Sequence, residues 1–89
     1  MKTFKSIQDR FSLILKKRKN KVLSLELGKK QYHTLMEELV DGVQKQNRVL
    51  DLEDYKITSQ TTFQEFEDKL ENIIEFIQIQ FLSEMGSIQ

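Results

Sequence analysis

Apolar positions along the chain form three helical stripes, one short alternating stretch and one stretch with neither period. In the first segment Phe4, Ile7, Phe11, Ile14 and Leu15 recur at helical spacing, while Leu13 points away from them. Thr3 offers an N-cap, and charge crowds every face by Lys19 and Asn20, so the spacing predicts an amphipathic helix over 3–19. "KVLSLEL" then alternates, with Leu23, Leu25 and Leu27 on one side and Val22, Ser24 and Glu26 on the other. Period two predicts a half-buried strand over 21–27, with Gly28 as the break after it. Tyr32, Leu35, Met36, Leu39, Val40 and Val43 follow the helical series again, which predicts a second helix over 29–46 with Gly42 inside it.

Residues 48–58 carry no stripe. Val49, Leu50, Leu52, Tyr55 and Ile57 would supply one or two short strands around a turn at Glu53 and Asp54, or irregular chain. The last segment is the most strongly patterned. Thr62 and Glu65 have the spacing of a capping box, and Phe63, Phe66, Leu70, Ile73, Ile74, Ile77 and Phe81 share one face. A long helix over 62–85 is predicted, with Gly86 as its stop. Phe76 and Ile79 fall off that face and Leu82 widens it, so this helix needs apolar neighbours on more than one side. The expected architecture is an α-rich α+β fold in one small domain spanning 1–89. Its element order is helix, strand, helix, irregular or short β, long helix. Pairing through the strand, the long helix or both would give a homodimer, a common way for a short chain to gain buried area.

Charge changes this picture. The formal net charge of the 89 residues is zero, yet residues 1–30 carry ten basic side chains and two acids while 31–89 carry four and twelve. The densest stretch is "KKRKNK", with Lys16, Lys17, Arg18, Lys19 and Lys21. Asymmetry of this kind is an interaction signal, although the two halves could also neutralise each other within the fold.

Most catalytic devices are absent from the sequence. There is no cysteine for a nucleophile, a disulfide or a thiolate metal site. The single histidine, His33, sits on the second helix four residues before Glu37, and one histidine makes poor metal chemistry. Gly28, Gly42 and Gly86 stand apart, so no phosphate-cradling loop is formed. "DLED" lacks the spacing and glycine of a calcium loop. The expectation is a non-enzymatic protein with no cofactor and no metal. No apolar run approaches the length of a membrane span or a signal-peptide core, which leaves a cytoplasmic protein as the default.

Binding remains, in three forms. Protein binding would use the off-stripe residues Phe76, Ile79 and Leu82, since aromatic residues are favoured in interface cores. Membrane-surface binding would use the first helix, whose apolar stripe is flanked by lysines. DNA binding rests on a resemblance: "KVLSLELGKKQYHTLMEELVDG" resembles the opening of a ribbon–helix–helix repressor. That resemblance implies a strand paired with its dimer mate in the major groove, with Val22, Ser24 and Glu26 toward the bases. The basic stretch 16–21 would then serve nucleic acid, but the strongly acidic last helix opposes phosphate near it. The favoured reading is a small regulatory or inhibitory protein that binds another protein. Its Lys-, Glu-, Ile- and Gln-rich composition fits an accessory protein of a phage or mobile element.

Overall fold

The structure, a computed structural model, describes residues 3–82. Helix α1 (Phe4–Lys19) starts where Thr3 Oγ1 accepts the Ser6 N–H, and its stripe enters the core as expected: Ile7, Phe11 and Ile14 are buried and Leu13 is not. Four basic residues in its last turn complement the negative end of the helix dipole.

The strand expected over 21–27 is not formed. Asn20 caps α1, Lys21 takes a left-handed conformation (φ 60°), and two reverse hydrogen bonds close the turn, from the Lys21 N–H to the Arg18 carbonyl and from the Val22 N–H to the Lys17 carbonyl. This is the Schellman arrangement. Three residues later Ser24 Oγ accepts the Leu27 N–H and starts α2 (Leu25–Lys45), with Glu26 in its first turn. A tight helix stop followed at once by an N-cap leaves no room for an extended segment. The alternating leucines therefore do not share a face: Leu23 is buried, Leu25 half-buried and Leu27 exposed. Gly28, expected as a break, lies within α2, which begins four residues earlier than the predicted 29. Lysine bears the left-handed conformation without the freedom of glycine, at a cost of about 1 kcal/mol. Lys21→Gly is expected to stabilise the fold by about that amount, read as an upward shift of the urea midpoint at unchanged slope.

Helix α2 buries Tyr32, Leu35, Met36, Leu39 and Val43, most of its expected stripe, and ends on a second Schellman turn with Asn47 at φ 57°. Residues 48–58 form no strand either. They run as extended chain into a one-turn 3₁₀ helix (Leu52–Tyr55), started by Asp51 Oδ1 accepting the Glu53 N–H. Helix α3 (Phe63–Ile77) opens on the expected capping box and continues into a π-helical turn (Gln78–Leu82). Phe63, assigned to the stripe, is exposed; Phe66, Leu70, Ile73, Ile77 and Phe81 are buried. The stop expected at Gly86 lies outside the described residues.

The observed fold is therefore three helices with no strand or sheet among the described residues, in place of the expected α+β architecture, and no strand is available for the expected dimer ribbon. Helix α1 lies against both others and runs antiparallel to each. Arg10 meets Glu38 at 2.8 Å on one flank; on the other, Phe4 stacks on Phe81 with centroids 3.7 Å apart, and Lys19 reaches Glu71. Helices α2 and α3 are consequently parallel. The connection between them must climb back along the molecule's 38 Å axis, and it does so over the side of the α2–α3 pair away from α1. Several contacts pin it. The Tyr32 hydroxyl donates to the Tyr55 carbonyl at 2.5 Å, Lys29 Nζ donates to the carbonyls of Thr58, Ser59 and Thr61, and buried Ile57 plugs the gap.

Gln8 of α1 is the one buried polar side chain among the described residues, and its amide donates to the Ile74 carbonyl and to Gln78 Oε1 where α3 changes pitch. The Ile74 carbonyl also keeps its helical bond from the Gln78 N–H, so Gln8 ties α1 to the end of α3 without breaking the ladder there. No helix of the described residues is long and apolar enough to cross a membrane.

At the head of α3 the capping box sets a pH response. Glu65 Oε1 accepts the Thr62 N–H and hydroxyl, and these bonds, the backbone one first, hold its carboxyl below the usual carboxylate range. A lowered folded-state pKa gives stability that is present above the ordinary value and is lost as pH falls through the folded one. Glu65→Gln keeps the acceptor and removes the charge. Its urea midpoint is expected to fall less than the wild type's between about pH 5 and pH 3.

Candidate functional site

The basic stretch 16–21 does not act as one unit. Arg18 turns inward: its Nη1 donates to the Leu23 carbonyl at 2.6 Å, its stem lies against Gly28, and its buried Nε has no hydrogen-bond partner. It braces the α1–α2 turn. Lys19 faces the acidic last helix and pairs with Glu71 at 3.5 Å, an exposed contact of small energetic weight. Lys21 is the left-handed residue of the helix stop. Only Lys16, Lys17 and Lys21 point to solvent with no ion pair among the described residues. The stretch is therefore half scaffold and half free cation.

The three apolar residues expected to bind a partner also separate. Phe76 is half-buried, its ring 5.7 Å from Tyr55 and 6.0 Å edge-on to Phe81. Leu82 lies around the molecule's end, in a groove with Phe4, Gly42 and Arg48. Ile79 is 53% exposed. Phe76 and Ile79 come together in a notch between the 3₁₀ turn and α3 whose other walls are Tyr55 and the carboxylates of Glu53, Asp54 and Glu75. Lys69 is the cation there, and its ammonium is held by the Asp54 carbonyl at 2.7 Å. Burial raises the Tyr55 phenol pKa, and the negative charges of Asp54, Asp51 and Glu75 raise it further. The notch thus combines an aromatic floor, an exposed aliphatic lip and net negative charge.

Sequence periodicity identified Phe76 and Ile79 as off-stripe but missed the rest of this site. Tyr55 and the three carboxylates reach it only because the crossover connection lies beside α3. The acidic, turn-forming "LEDY" was the available signal, and it read as a solvated turn. Leu52, 51% exposed, belongs to the neighbouring groove with Met36, Val40 and His33, which extends the apolar surface across the connection. His33 is exposed, its ring edge-on to Tyr32. Val22, Ser24 and Glu26, assigned to the bases in the ribbon–helix–helix resemblance, sit in the turn and first helical turn and form no ribbon. Among the described residues no group of three or more His, Asp or Glu side chains converges to hold a metal ion. No family model, no curated protein and no solved structure matches this chain.

Proposed function

We propose that the chain is a small non-enzymatic regulatory or inhibitory protein that acts by binding another protein. The partner segment is basic and carries one apolar side chain, which sits in the notch against Phe76 and Ile79 while its cations meet Glu53, Asp54 and Glu75. The observation that carries this reading is an exposed isoleucine beside a half-buried aromatic floor, inside a ring of carboxylates. An apolar anchor with a charged rim is the usual anatomy of a protein-binding patch. The charge sets approach rate and partner choice more than it sets affinity.

The test uses a labelled amphipathic helical peptide with lysines on one face and leucines on the other, and a second peptide with glutamates for the lysines. Fluorescence anisotropy is expected to show binding of the first only. Ile79→Ser and Glu75→Lys should each weaken it at least fivefold, while Ile79→Ser leaves unfolding free energy within about 0.5 kcal/mol of wild type because its side chain is on the surface. Equal binding by Ile79→Ser and wild type would reject the notch as the site.

A further inference from the structure

The flank where α1 meets α2 carries a second exposed apolar patch, of opposite charge. Leu13 of α1 is 48% exposed and borders a groove formed with Lys30, Gln31 and Thr34 of α2. Leu27, 52% exposed, lies one turn before Gln31 on the same side of α2, and Val22, 71% exposed, projects from the turn at the end of the strip. Around them stand Lys16 and Lys17, three and four residues beyond Leu13, with Lys21 and Lys30. The acids near the strip are Glu38, which Arg10 engages at 2.8 Å, Asp9, which pairs with Lys5, and the exposed Glu26 beside Leu27, against four lysines. The free charge of the strip is positive.

We infer that this strip docks the acidic notch of a second copy of the chain, so that the molecule associates head to tail. The inference rests on the notch being a binding surface. What singles out a second copy as the occupant is complementarity within one chain: an aliphatic and basic strip on the α1–α2 flank, an aromatic and acidic notch beside the connection. The two patches face different ways, so one copy cannot satisfy both by itself. A strip-to-notch contact is heterologous and repeats into rings or open chains. The formal net charge is zero, so no overall repulsion opposes the contact. Docking of a copy covers the notch, and self-association therefore competes with the partner protein for it.

Sedimentation velocity from about 10 μM to 1 mM protein tests this, at about 50 mM and about 500 mM salt. Wild type is expected to gain mass with concentration at low salt and to lose at least tenfold in association at high salt. Two variants separate the surfaces: Lys17→Glu with Lys30→Glu on the strip, and Glu53→Lys with Glu75→Lys at the notch. Each alone should remain monomeric, and an equimolar mixture should associate again, because the first retains an intact notch and the second an intact strip. The strip variant should bind the lysine–leucine peptide at least as tightly as wild type does. Circular dichroism melts identical to wild type establish that both variants are folded. Monomeric wild type throughout, strip-variant association equal to wild type, or no recovery on mixing would each overturn the inference. If the strip variant binds the peptide in any of those cases, the notch reading survives the loss; if wild type fails to bind the peptide, the notch reading falls first. Wild-type binding to a 20-base-pair DNA duplex or to phosphatidylserine vesicles, lost in the strip variant and unaccompanied by self-association, would assign the strip to phosphate chemistry and overturn the inference as well.

Discussion

Tyr32→Ala is expected to lower the unfolding free energy by about 3–5 kcal/mol, a large share of the 5–15 kcal/mol typical of a whole domain. Tyr32 is where the four parts of the fold meet. Its ring is almost wholly buried and packs edge-on against Phe11 of α1 and Phe66 of α3, each at 5.6 Å between centroids. Its hydroxyl then holds the connection by donating to the Tyr55 carbonyl. Burial, with Tyr55 adding to it, pushes the Tyr32 phenol well above its ordinary pKa, so the group stays protonated and donating across the whole physiological range. Truncation removes the ring from Phe11 and Phe66 and leaves a cavity between α1 and α3. Tyr32→Phe keeps the ring and deletes only the hydroxyl, and about 1 kcal/mol is expected for it. Urea unfolding of the two variants separates the packing contribution from the hydrogen bond. A similar loss in both would mean that the ring matters little and the connection's tether dominates.

Gly28→Ala is expected to destabilise by about 1–3 kcal/mol, although alanine is the better helix former by about 1 kcal/mol. A Cβ at this position would meet Phe66 Cε2 at 3.0 Å and the Arg18 stem at 3.5 Å. Phe66 is fully buried and cannot swing aside, so the start of α2 must move away from α3. Gly42→Ala is the control. It gives the same gain in helix propensity, and its Cβ would approach the ring of Phe4 at 3.3 Å, but Phe4 is only half-buried and can yield. Gly42→Ala should be neutral or stabilising by up to about 1 kcal/mol, read from urea midpoints. Destabilisation by both alike would show that the clash at Phe66 is not the cause.

These two residues show where the sequence was readable and where it was not. The stripes of α1, α2 and α3 were legible because a helix face repeats over many turns; Phe11, Tyr32, Leu39, Phe66 and Leu70 were all placed correctly by spacing. The strand was misread because "KVLSLEL" is seven residues long, and three alternate leucines are also what a helix stop, one buried turn residue and a helix start leave behind. Ser24 with Glu26 two positions later was the helix signal, masked by the alternation. The tie from Gln8 to the end of α3 was invisible, because Gln8 and Gln78 lie seventy residues apart in sequence. The notch was half legible. An amphipathic helix displays its surplus apolar residues in one dimension, so Phe76 and Ile79 stood out, but only tertiary structure brings Glu53, Asp54 and Tyr55 alongside them. The split of 16–21 between scaffold and solvent likewise depends on what lies opposite each side chain.

Placing the notch residues in contact with a partner segment is the central claim, and backbone amide chemical-shift mapping of the isotopically labelled protein during titration with the lysine–leucine peptide tests it most directly. The largest shifts are expected at Tyr55, Glu75, Phe76 and Ile79, with Leu13, Leu27 and Lys30 unmoved beyond any effect of dissolving self-association, which dilution alone would reproduce. Shifts centred on the end groove at Phe4 and Leu82, or no saturable shifts at all, would contradict it.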